Sequence, residues 1–520
     1  MRTVAGRRRI SWRLLTWADG WMNRIYGSRF NPLYQSGAIV VMLLGVLLAT
    51  GLYLLVFYRL GRPYASVSGI SGQVWVGRWV RGLHRFSSDA ALGAAAIHAF
   101  RMYAQRRDWG ARALAWVSGL VLVFLILVCG WTGYVLVWDS HAQLLAIEGA
   151  RLLDVLPIFS EPISRAFTGE RGIPGGFFFL NLFAHVALPV GVGLLVWIHV
   201  SRVARPGILP PRRLSIAVVA GLLVLALVWP VGMAAEANLF TIPRDVPLDL
   251  FFAFWLPLAR QVPAWVVWLV GGTITLLLLA IPLLSRPAPE RRPAKSVVNE
   301  RQCTGCEQCM HDCPYGAILM FDRTDGRDGI VARVDPDLCV SCGICIGSCA
   351  PMALGPAERT GRDQLAAVRA WNALNMPGAH DVVMIGCDWS AGTAAFAADA
   401  RVLHFPIACA GNIHTSTVEY LVRSGAGGVL IATCAERDCR GREGPKWLHQ
   451  RLYEGREAEL KERVDRARIR VVEASAGDAR VLRDALHRFQ ADVAQLAAAS
   501  AEDNVDLLAL CDRVEEGVAS

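Results

Sequence analysis

The sequence predicts a multidomain protein in which membrane-spanning helices are followed by two small soluble domains. Apolar residues make up 54% of the 520 residues and the mean hydropathy is +0.37, but the long apolar runs end near residue 285. A cysteine-rich segment follows, and then short apolar strands alternate with amphipathic helices. The predicted fold class is therefore an all-α transmembrane bundle, a small cysteine-rich domain and a small α/β domain with a mostly parallel sheet.

The membrane part is predicted from windows of about twenty apolar residues. There are about six such spans, at residues 35–58, 83–103, 113–138, 178–201, 214–234 and 262–285. The first apolar run begins too late and is too long for a cleavable signal peptide.

The orientation of the spans is predicted from the arginines of the short loops. Arginines concentrate before the first span, between spans two and three, between spans four and five, and after the sixth. By the positive-inside rule both termini are expected in the cytoplasm, and the chain is expected in the inner (cytoplasmic) membrane. The net charge of +9 largely reflects these loops, so nucleic-acid binding is not expected.

Four histidines in the apolar segments form two pairs with one spacing. His84 and His98 lie fourteen residues apart, and so do His185 and His199. Fourteen residues of helix rise about 21 Å and rotate to within roughly 40° of a whole number of turns, so both histidines of a pair share one helix face. A single histidine could be a polar residue hydrogen-bonded between helices. The joint pattern instead predicts two stacked bis-imidazole haem sites.

Glycines repeat the same spacing in two further apolar segments. They are Gly37 and Gly51 in the first segment, and Gly119 and Gly133 in the third. A haem macrocycle needs neighbouring helices without side chains at its depth, so these glycines are predicted to pack at the haems.

These patterns resemble the cytochrome b of quinol:cytochrome c oxidoreductases over about residues 30–285. Gly133–Trp138 resembles the exit of that family's third helix, and His185 begins a matching His-x-x-Leu-Pro sequence. The resemblance implies two b haems. The residues that it assigns are His84 and His185 for the outer haem, His98 and His199 for the inner haem, and Arg81 and Arg101 for the haem propionates.

The loop between spans five and six resembles the outer quinol-oxidation loop of the same family. That family has Pro-Glu-Trp-Tyr there, and its glutamate accepts a proton. Here Leu248 replaces the glutamate and Asp249 follows it. Two interpretations stay open: a quinone site in which Asp249 takes part, or an amphipathic surface helix that caps the haem pocket.

Two cysteine runs of identical spacing follow a linker rich in proline and arginine. They are Cys303, Cys306, Cys309 and Cys313, then Cys339, Cys342, Cys345 and Cys349. Zinc is the alternative for any four cysteines but rarely uses this spacing twice. The runs resemble a bacterial two-cluster ferredoxin, in which each fourth cysteine crosses to the other cluster. This implies one 4Fe–4S cluster on Cys303, Cys306, Cys309 and Cys349, and a second on Cys339, Cys342, Cys345 and Cys313. Such thiolates need a reducing compartment, in agreement with the predicted orientation.

The last domain has predicted strands at Val382–Ile385, Val402–Phe405, Val429–Ala432 and Ile469–Val472, and helices near 415–424, 445–467 and 478–499. Cys387, Cys409 and Cys434 follow the first three strands, and Cys439 lies five residues after Cys434. Ligands bind at this edge of an open α/β sheet. The four thiols are predicted to bind a 2Fe–2S cluster, with buried free cysteines as the alternative. Cys129 and Cys511 are predicted to be buried free cysteines without function.

The sequences around these cysteines resemble the iron–sulfur (delta) subunit of methyl-viologen-reducing hydrogenase. The matching segments are Gly386–Ser390, Ala408–Gly411 and Thr433–Cys439. The family usually has Cys-x-x-Cys in the first segment, whereas this chain has Ser390 at the second position. The resemblance implies a partner like the flavoprotein of heterodisulfide reductase, with its associated cytoplasmic subunits.

The predicted domains are a cytoplasmic amphipathic N-terminus (1–30), a cytochrome b-like domain (31–285), a linker (286–296), a ferredoxin domain with two 4Fe–4S clusters (297–358), a linker helix (359–378) and the iron–sulfur α/β domain (379–520). Together they predict a membrane oxidoreductase subunit that exchanges electrons between quinone and a cytoplasmic heterodisulfide-reductase-like complex, with quinone reduction favoured. The alternative is a membrane anchor for a soluble redox complex, with haems idle in turnover. A homodimer is expected from the cytochrome b resemblance alone.

Overall fold

The computed structural model describes residues 10–157, 162–167, 173, 175–201, 207–241, 243, 249–391 and 402–518, with side chains up to residue 499. The chain divides into two compact units. Residues 35–286 form one, here called the helical unit. Residues 10–34 and 287–518 form the other, here called the cysteine unit.

The helical unit consists of nine described helices. They are α2 (Ser36–Phe57), α3 (Pro63–Gly72), α4 (Gly77–Ala104), α5 (Ala113–Val135), α6 (Ser140–Leu153), α7 (Gly175–Ser201), α8 (Arg212–Val228), α9 (Leu256–Gln261) and α10 (Ala264–Leu284). Two pairs of helices pack closely together, α2 against α4 and α5 against α7. The α4–α8 contact is also close, because a Cβ at Gly82 would lie 3.0 Å from Ala226 Cβ.

Four of the predicted spans are long and apolar enough to cross a membrane within the described part of the chain: α2, α5 with its preceding turn, α7 and α10. The predicted second span is helical as α4, but its polar residues lower its hydropathy. The predicted fifth span was wrong at its end, because α8 stops at Val228 and not near residue 234. Pro230 explains this, since the residue before a proline disfavours the helical conformation.

Residues 296–356 of the cysteine unit, here called the ferredoxin part after the predicted resemblance, contain the same local structure twice. Strand β1 (Ser296–Val298) pairs antiparallel with β4 (Leu354–Pro356), and β2 (Ile318–Asp322) pairs with β3 (Ile330–Val334). The short helices are α11 (Gln308–Asp312) and α12 (Ile344–Ser348). Both cysteine loops adopt left-handed backbone at equivalent positions, Gly305 and Glu307 in the first, Ser341 and Gly343 in the second. The loops therefore match in conformation as well as in spacing.

The described residues between 361 and 518 are here called the α/β part. They contain one parallel sheet, as predicted. Its strands are β5 (Val382–Cys387), β6 (Val402–Ile407), β7 (Gly428–Thr433) and β8 (Ile469–Glu473), in the order β6-β5-β7-β8. Its helices are α13 (Gly361–Asn375), α14 (Thr415–Arg423), α15 (Gly444–Tyr453) and α16 (Ala479–Val518). Every residue of β5 and β7 is buried, because helices cover both faces of the sheet, and this explains their continuous apolar sequence.

One predicted helix of this part was wrong in length. The helix expected at residues 445–467 ends at Tyr453 as α15. Gly455 has a φ of +65°, a backbone conformation that ends a right-handed helix and that glycine adopts without strain.

The N-terminal helix α1 (Ile10–Tyr26) packs against the α/β part within the cysteine unit. Trp12 makes an edge-to-face contact with Trp389 at a ring-centre distance of 5.1 Å. Asn23 Nδ2 donates a 2.8 Å hydrogen bond to Asp478 Oδ2. A Cβ at Gly20 would lie 2.9 Å from the carbonyl oxygen of Gly477, so the two backbones approach closely.

A buried ion-pair network joins the ferredoxin part to the α/β part. Arg451 on α15 and Asp312 on α11 are both fully buried, with 3.9 Å between Nη1 and Oδ2. Arg451 also donates to Ser348 Oγ at 3.2 Å and to the carbonyl oxygen of Gly411 at 2.9 Å. Arg456 pairs with the other oxygen of Asp312 at 2.6 Å. The network fixes the two parts relative to each other.

Replacing Arg451 should therefore weaken the whole cysteine unit. We expect Arg451→Leu to lower the free energy of unfolding by about 3 kcal/mol, since removing one member of a buried pair leaves charge and polar groups uncompensated. The matched control is Arg470→Gln, because the Arg470–Asp492 pair is about half exposed and should contribute less than about 1 kcal/mol. Denaturation followed by cluster absorbance measures both, and equal effects of the two variants would contradict this role.

Candidate haem and iron–sulfur sites

Each histidine of the two predicted pairs lies against one of the four glycines on the neighbouring helix. A Cβ on Gly37 would lie 2.8 Å from His98 Cε1, and one on Gly51 would lie 3.3 Å from His84 Cε1. On the other helix pair, Gly133 faces His185 at 2.9 Å and Gly119 faces His199 at 3.3 Å. The glycines thus make room for the imidazole rings on the neighbouring helices.

The first predicted haem pair has the separation that a shared metal requires. The ring centres of His84 and His185 lie 6.4 Å apart at an interplanar angle of 62°. Two metal–imidazole bonds of about 2 Å each along one axis place the ring centres about 6 Å apart. The two residues would therefore hold one haem between them.

Helix hydroxyls orient three of the four imidazoles. Thr50 donates its proton to the carbonyl oxygen of Val46 at 2.7 Å, so it accepts from His84 Nδ1, 2.9 Å away. Ser118 lies 3.0 Å from His199 Nδ1 and donates to the carbonyl of Ala115. A neutral imidazole has one N–H, so an acceptor at Nδ1 leaves the Nε2 lone pair for a metal.

His185 has the same arrangement with one additional partner. Its Nδ1 lies 3.0 Å from Thr132 Oγ1 and 2.9 Å from the carbonyl oxygen of Cys129. The Cys129 thiol is 3.7 Å from the same nitrogen. Cys129, expected from the sequence to be a buried cysteine without function, therefore touches a predicted haem ligand.

The sequence contains a signal for these hydroxyls that was not used in the prediction. Each of the four glycines directly follows a serine or threonine: Ser36, Thr50, Ser118 and Thr132. The fourteen-residue spacing thus belongs to a Ser/Thr-Gly dipeptide. Each glycine leaves room for an imidazole, and the hydroxyls of Thr50, Ser118 and Thr132 orient one.

The two predicted propionate arginines have different surroundings. Arg81 donates to the carbonyl oxygens of Val231 at 2.8 Å and Gly232 at 3.1 Å, and to Ser71 Oγ at 3.0 Å. Arg101 is buried near the end of α4, three residues after His98. Arg81 therefore also ties α4 to the segment that follows α8.

Asp249 is held in a polar cluster that the sequence did not predict. Its Oδ2 lies 2.6 Å from Arg85 Nη2 and accepts a hydrogen bond from the Tyr134 hydroxyl. Its Oδ1 accepts from the backbone N–H groups of Phe251 at 2.7 Å and Phe252 at 2.8 Å. Burial raises the pKa of Asp249, but these hydrogen bonds and the Arg85 charge outweigh burial and hold that pKa below its ordinary value. Leu248, where the family has its glutamate, lies outside the described residues.

The first predicted 4Fe–4S ligand set is brought together in the structure. Cys303, Cys306, Cys309 and the crossing Cys349 line one cavity. Burial, and then negative charge on Cys349, Cys306 and Cys303, raise the pKa of the Cys309 thiol to about 12. Thiols in this arrangement become thiolates only beside compensating positive charge, which an iron–sulfur core supplies.

The second predicted set is also assembled. Burial raises the pKa of the Cys345 thiol well above its usual range, and Cys342, Cys313 and Cys339 are the charged neighbours that raise it further. The two crossing cysteines have equivalent partners: the N–H of Ala317 lies 3.4 Å from Cys313 Sγ, and that of Ala353 lies 3.2 Å from Cys349 Sγ. In the described chain, no three His, Cys, Asp or Glu side chains are close enough to share a single metal ion. A cubane holds its thiolates farther apart, because each binds a separate iron.

The four cysteines of the α/β part converge at the carboxyl edge of the sheet. Cys387 Sγ lies 3.6 Å from Cys434 Sγ. A Cβ on Gly444 would lie 3.3 Å from Cys409 Sγ and 3.4 Å from Cys439 Sγ. Hydrogen bonds from the Cys409 and Cys434 thiols hold the pKa of Cys387 well below its usual range.

Ser390, which stands where the resembling family has a cysteine, is fully buried. Its hydroxyl donates a 2.8 Å hydrogen bond to the carbonyl oxygen of Cys387. It therefore stabilises the turn that follows the first cysteine.

The thiols of the α/β part lie beside one ferredoxin ligand set. A Cβ on Gly441 would lie 3.6 Å from Cys409 Sγ and 3.8 Å from Cys342 Cβ. Both cysteine side chains therefore lie within van der Waals contact of a Cβ placed at this position. Of the two ferredoxin sets, the one containing Cys342 thus has a ligand directly beside the four-thiol site.

These sites and the four apolar helices fit a membrane-embedded redox protein. Three family models match the chain from its N- to its C-terminal part: cytochrome b/b6/petB at residues 22–207, the 4Fe–4S dicluster domain at 302–353, and, over residues 381–497, the methyl-viologen-reducing hydrogenase delta subunit. The three matches agree with the three resemblances that the sequence predicted. Cytochrome b implies haem b and an integral membrane protein, and the dicluster domain implies 4Fe–4S clusters.

Individual relatives match the cytochrome b part. The menaquinol:cytochrome c reductase cytochrome b subunit of Bacillus subtilis (strain 168) is 25% identical over 182 residues, 34% of this chain and 81% of that protein. Cytochrome b6 of Porphyra purpurea is 27% identical over 200 residues, 37% of this chain and 92% of that protein. A solved structure titled hyperthermophilic respiratory Complex III aligns with 17% identity and a TM-score of 0.40, covering 50% of this chain and 78% of its own.

A side chain at Gly37 should exclude one haem. We expect Gly37→Val to reduce the haem bound per chain by about half, because the added atoms meet the His98 ring and leave only one bis-imidazole site. Gly45→Val is the matched control on the same helix, since nothing lies within 4 Å of a Cβ there. Haem-to-protein ratios of the purified variants test this, and equal ratios would argue against the His98 site.

Loss of a helix hydroxyl should weaken haem binding without preventing folding. We expect Thr50→Val to increase haem dissociation about tenfold, because partners that orient a metal ligand typically contribute this much. Thr275→Val is the control, since Thr275 donates only to the backbone of its own helix. Transfer of haem to apomyoglobin measures the rate, and no difference between the variants would count against the role of Thr50.

The crossing of the fourth cysteines can be tested by pairs of substitutions. We expect Cys303→Ala with Cys349→Ala to remove one cluster and about four irons, and Cys303→Ala with Cys313→Ala to remove both clusters and about eight irons. Iron and sulfide analysis measures this. The reverse result would mean that each run holds its own cluster.

Proposed function

We propose that this protein is a membrane-bound electron-transfer subunit that links the quinone pool to a cytoplasmic redox complex. The observation that carries the proposal is the adjacency of the ligand sets around Gly441, together with the haem-type histidine pairs in the same chain. When bound, two b haems, two 4Fe–4S clusters and one 2Fe–2S cluster would supply one-electron carriers. We infer an inner-membrane location with both termini and the cysteine unit in the cytoplasm, from the arginine-rich loops.

The two units would hold different cofactors. His84 with His185, and His98 with His199, would hold the haems, while the helix hydroxyls fix the imidazoles and Arg81 and Arg101 face the propionates. In the cysteine unit the eight ferredoxin cysteines hold the cubanes, and Cys387, Cys409, Cys434 and Cys439 hold the third cluster. Burial limits the access of water to Cys309, Cys345 and Cys349, whereas Cys306 is exposed.

The cytoplasmic partner that we propose is a flavoprotein resembling that of heterodisulfide reductase, with its associated subunits. The support is the match of residues 381–497 to the hydrogenase delta subunit. In this assignment the α/β part presents its cluster to the flavoprotein, and the ferredoxin part connects that cluster to the membrane.

Quinone reduction is the direction that we propose. Quinol oxidation at the outer side needs a carboxylate that takes up a proton. Asp249, the nearest candidate, is instead paired with Arg85 and Tyr134, and its pKa lies below its ordinary value. A carboxylate stabilised in this way is a weaker proton acceptor than a free one. We therefore assign the quinone site to the inner side, near His98 and His199.

The inner histidines distinguish this proposal from a membrane anchor with idle haems. In proteoliposomes, with reduced methyl viologen as donor and a short-chain menaquinone as acceptor, we expect His98→Leu to decrease quinone reduction about a hundredfold, because one axial ligand is lost. His141→Leu, which removes a histidine outside the four predicted ligands, should retain the rate. An unchanged rate in His98→Leu with a normal fold would establish the anchor instead.

The direction has its own test. In an anaerobic redox titration that follows the haem optical bands and the cluster EPR signals together, we expect cluster midpoint potentials below those of both haems. Cluster potentials at or above that of the inner haem would favour electron flow from quinol to the cytoplasmic partner.

A further inference from the structure

Helix α1 has two faces of different character. One face packs into the cysteine unit, where Trp12, Leu15, Asp19 and Gly20 are buried. The contacts with Trp389, Gly477 and Asp478 hold this face in place. The helix is therefore an integral part of the cysteine unit and not a free N-terminal arm.

The opposite face of α1 is a stripe of exposed apolar side chains, here called the α1 stripe. Its residues recur at intervals of four, three, four and four, so they lie along one side of the helix. They are Ile10, Leu14, Trp17, Trp21 and Ile25, with exposed fractions of 76, 55, 74, 53 and 54%. A continuous apolar surface of this kind on a water-soluble part of a protein marks an interaction site.

The charges around the α1 stripe indicate what covers it. Arg13, Arg24 and Arg29 are exposed beside it, whereas Asp19, the single acidic residue of α1, is buried on the other face. Four more arginines, at positions 2, 7, 8 and 9, precede the helix in the sequence. Tryptophan with arginine on one side of an amphipathic helix is typical of helices that lie in the interface of a bilayer.

We propose that the α1 stripe lies in the interfacial layer of the membrane, with its arginines on anionic lipid headgroups. The position of α1 in the chain agrees with this, because only nine residues, which span at most about 30 Å, separate Tyr26 from Ser36, where the spanning helix α2 begins. The buried face of the same helix packs against the α/β part. Helix α1 thus attaches the cysteine unit to the lipid surface, independently of which direction electrons take.

Photocrosslinking in the full-length protein tests the proposal. Trp17 and Trp21 are each replaced by p-benzoylphenylalanine, and the purified protein is illuminated in nanodiscs that contain phosphatidylglycerol. The control position is Leu374 at the end of α13, which is 83% exposed but is not part of α1. Retained haem and cluster absorbance verifies the fold of each variant, and these exposed positions tolerate an aromatic replacement.

We expect mass spectrometry to detect lipid adducts at positions 17 and 21, several-fold above those at position 374. Adduct yield should fall when phosphatidylcholine replaces phosphatidylglycerol, and also in Arg13→Gln/Arg24→Gln, but not in Arg470→Gln. Adducts with protein, whether a partner or a second copy of the chain, or lipid adducts no more frequent than at position 374, would overturn the proposal.

Discussion

A single N–H on each buried imidazole is the constraint on which the helical unit depends. His84, His185 and His199 each meet a helix hydroxyl at Nδ1, so Nε2 is the nitrogen left for a metal. The hydroxyls in turn donate to carbonyls of their own helix, which fixes their direction. The adjacent glycines let α2 approach α4 and α5 approach α7 closely enough for these hydrogen bonds. Helix pairing, ring orientation and ligand geometry therefore follow from one repeated Ser/Thr-Gly dipeptide.

In the cysteine unit, the main electrostatic constraint is the burial of several thiols close together. Its ferredoxin thiols lie in groups where burial and mutual repulsion disfavour thiolates, so they stay neutral unless a positively charged core compensates their charge. Arg451 and Asp312 add a buried ion pair that links the two parts. Such pairs contribute little net stability compared with apolar packing but are costly to break. The result is a fixed separation between the ferredoxin thiols and those of the α/β part, which electron transfer requires.

The polar cluster around Asp249 depends on two helix residues that lie next to the histidine and glycine positions. Arg85 follows His84 directly, and Tyr134 follows Gly133. Both side chains therefore contact Asp249 from helix positions directly after a predicted haem ligand and a glycine. A carboxylate placed between them is stabilised as an anion.

The sequence by itself determined the features that depend on local spacing. The helical spacing identified the histidine and glycine pairs, and the cysteine spacing identified both cysteine runs. Short apolar runs identified the strands of the parallel sheet. These signals are local, because side chains repeat at fixed intervals along regular elements. The predicted ends of α8 and α15 were wrong, because Pro230 and Gly455 override the apolar pattern there. Only the tertiary structure decided which glycine meets which histidine, that Arg451 pairs with Asp312, and that α1 packs on the α/β part. These contacts join residues up to hundreds of positions apart, and no local period encodes which distant surfaces pack together.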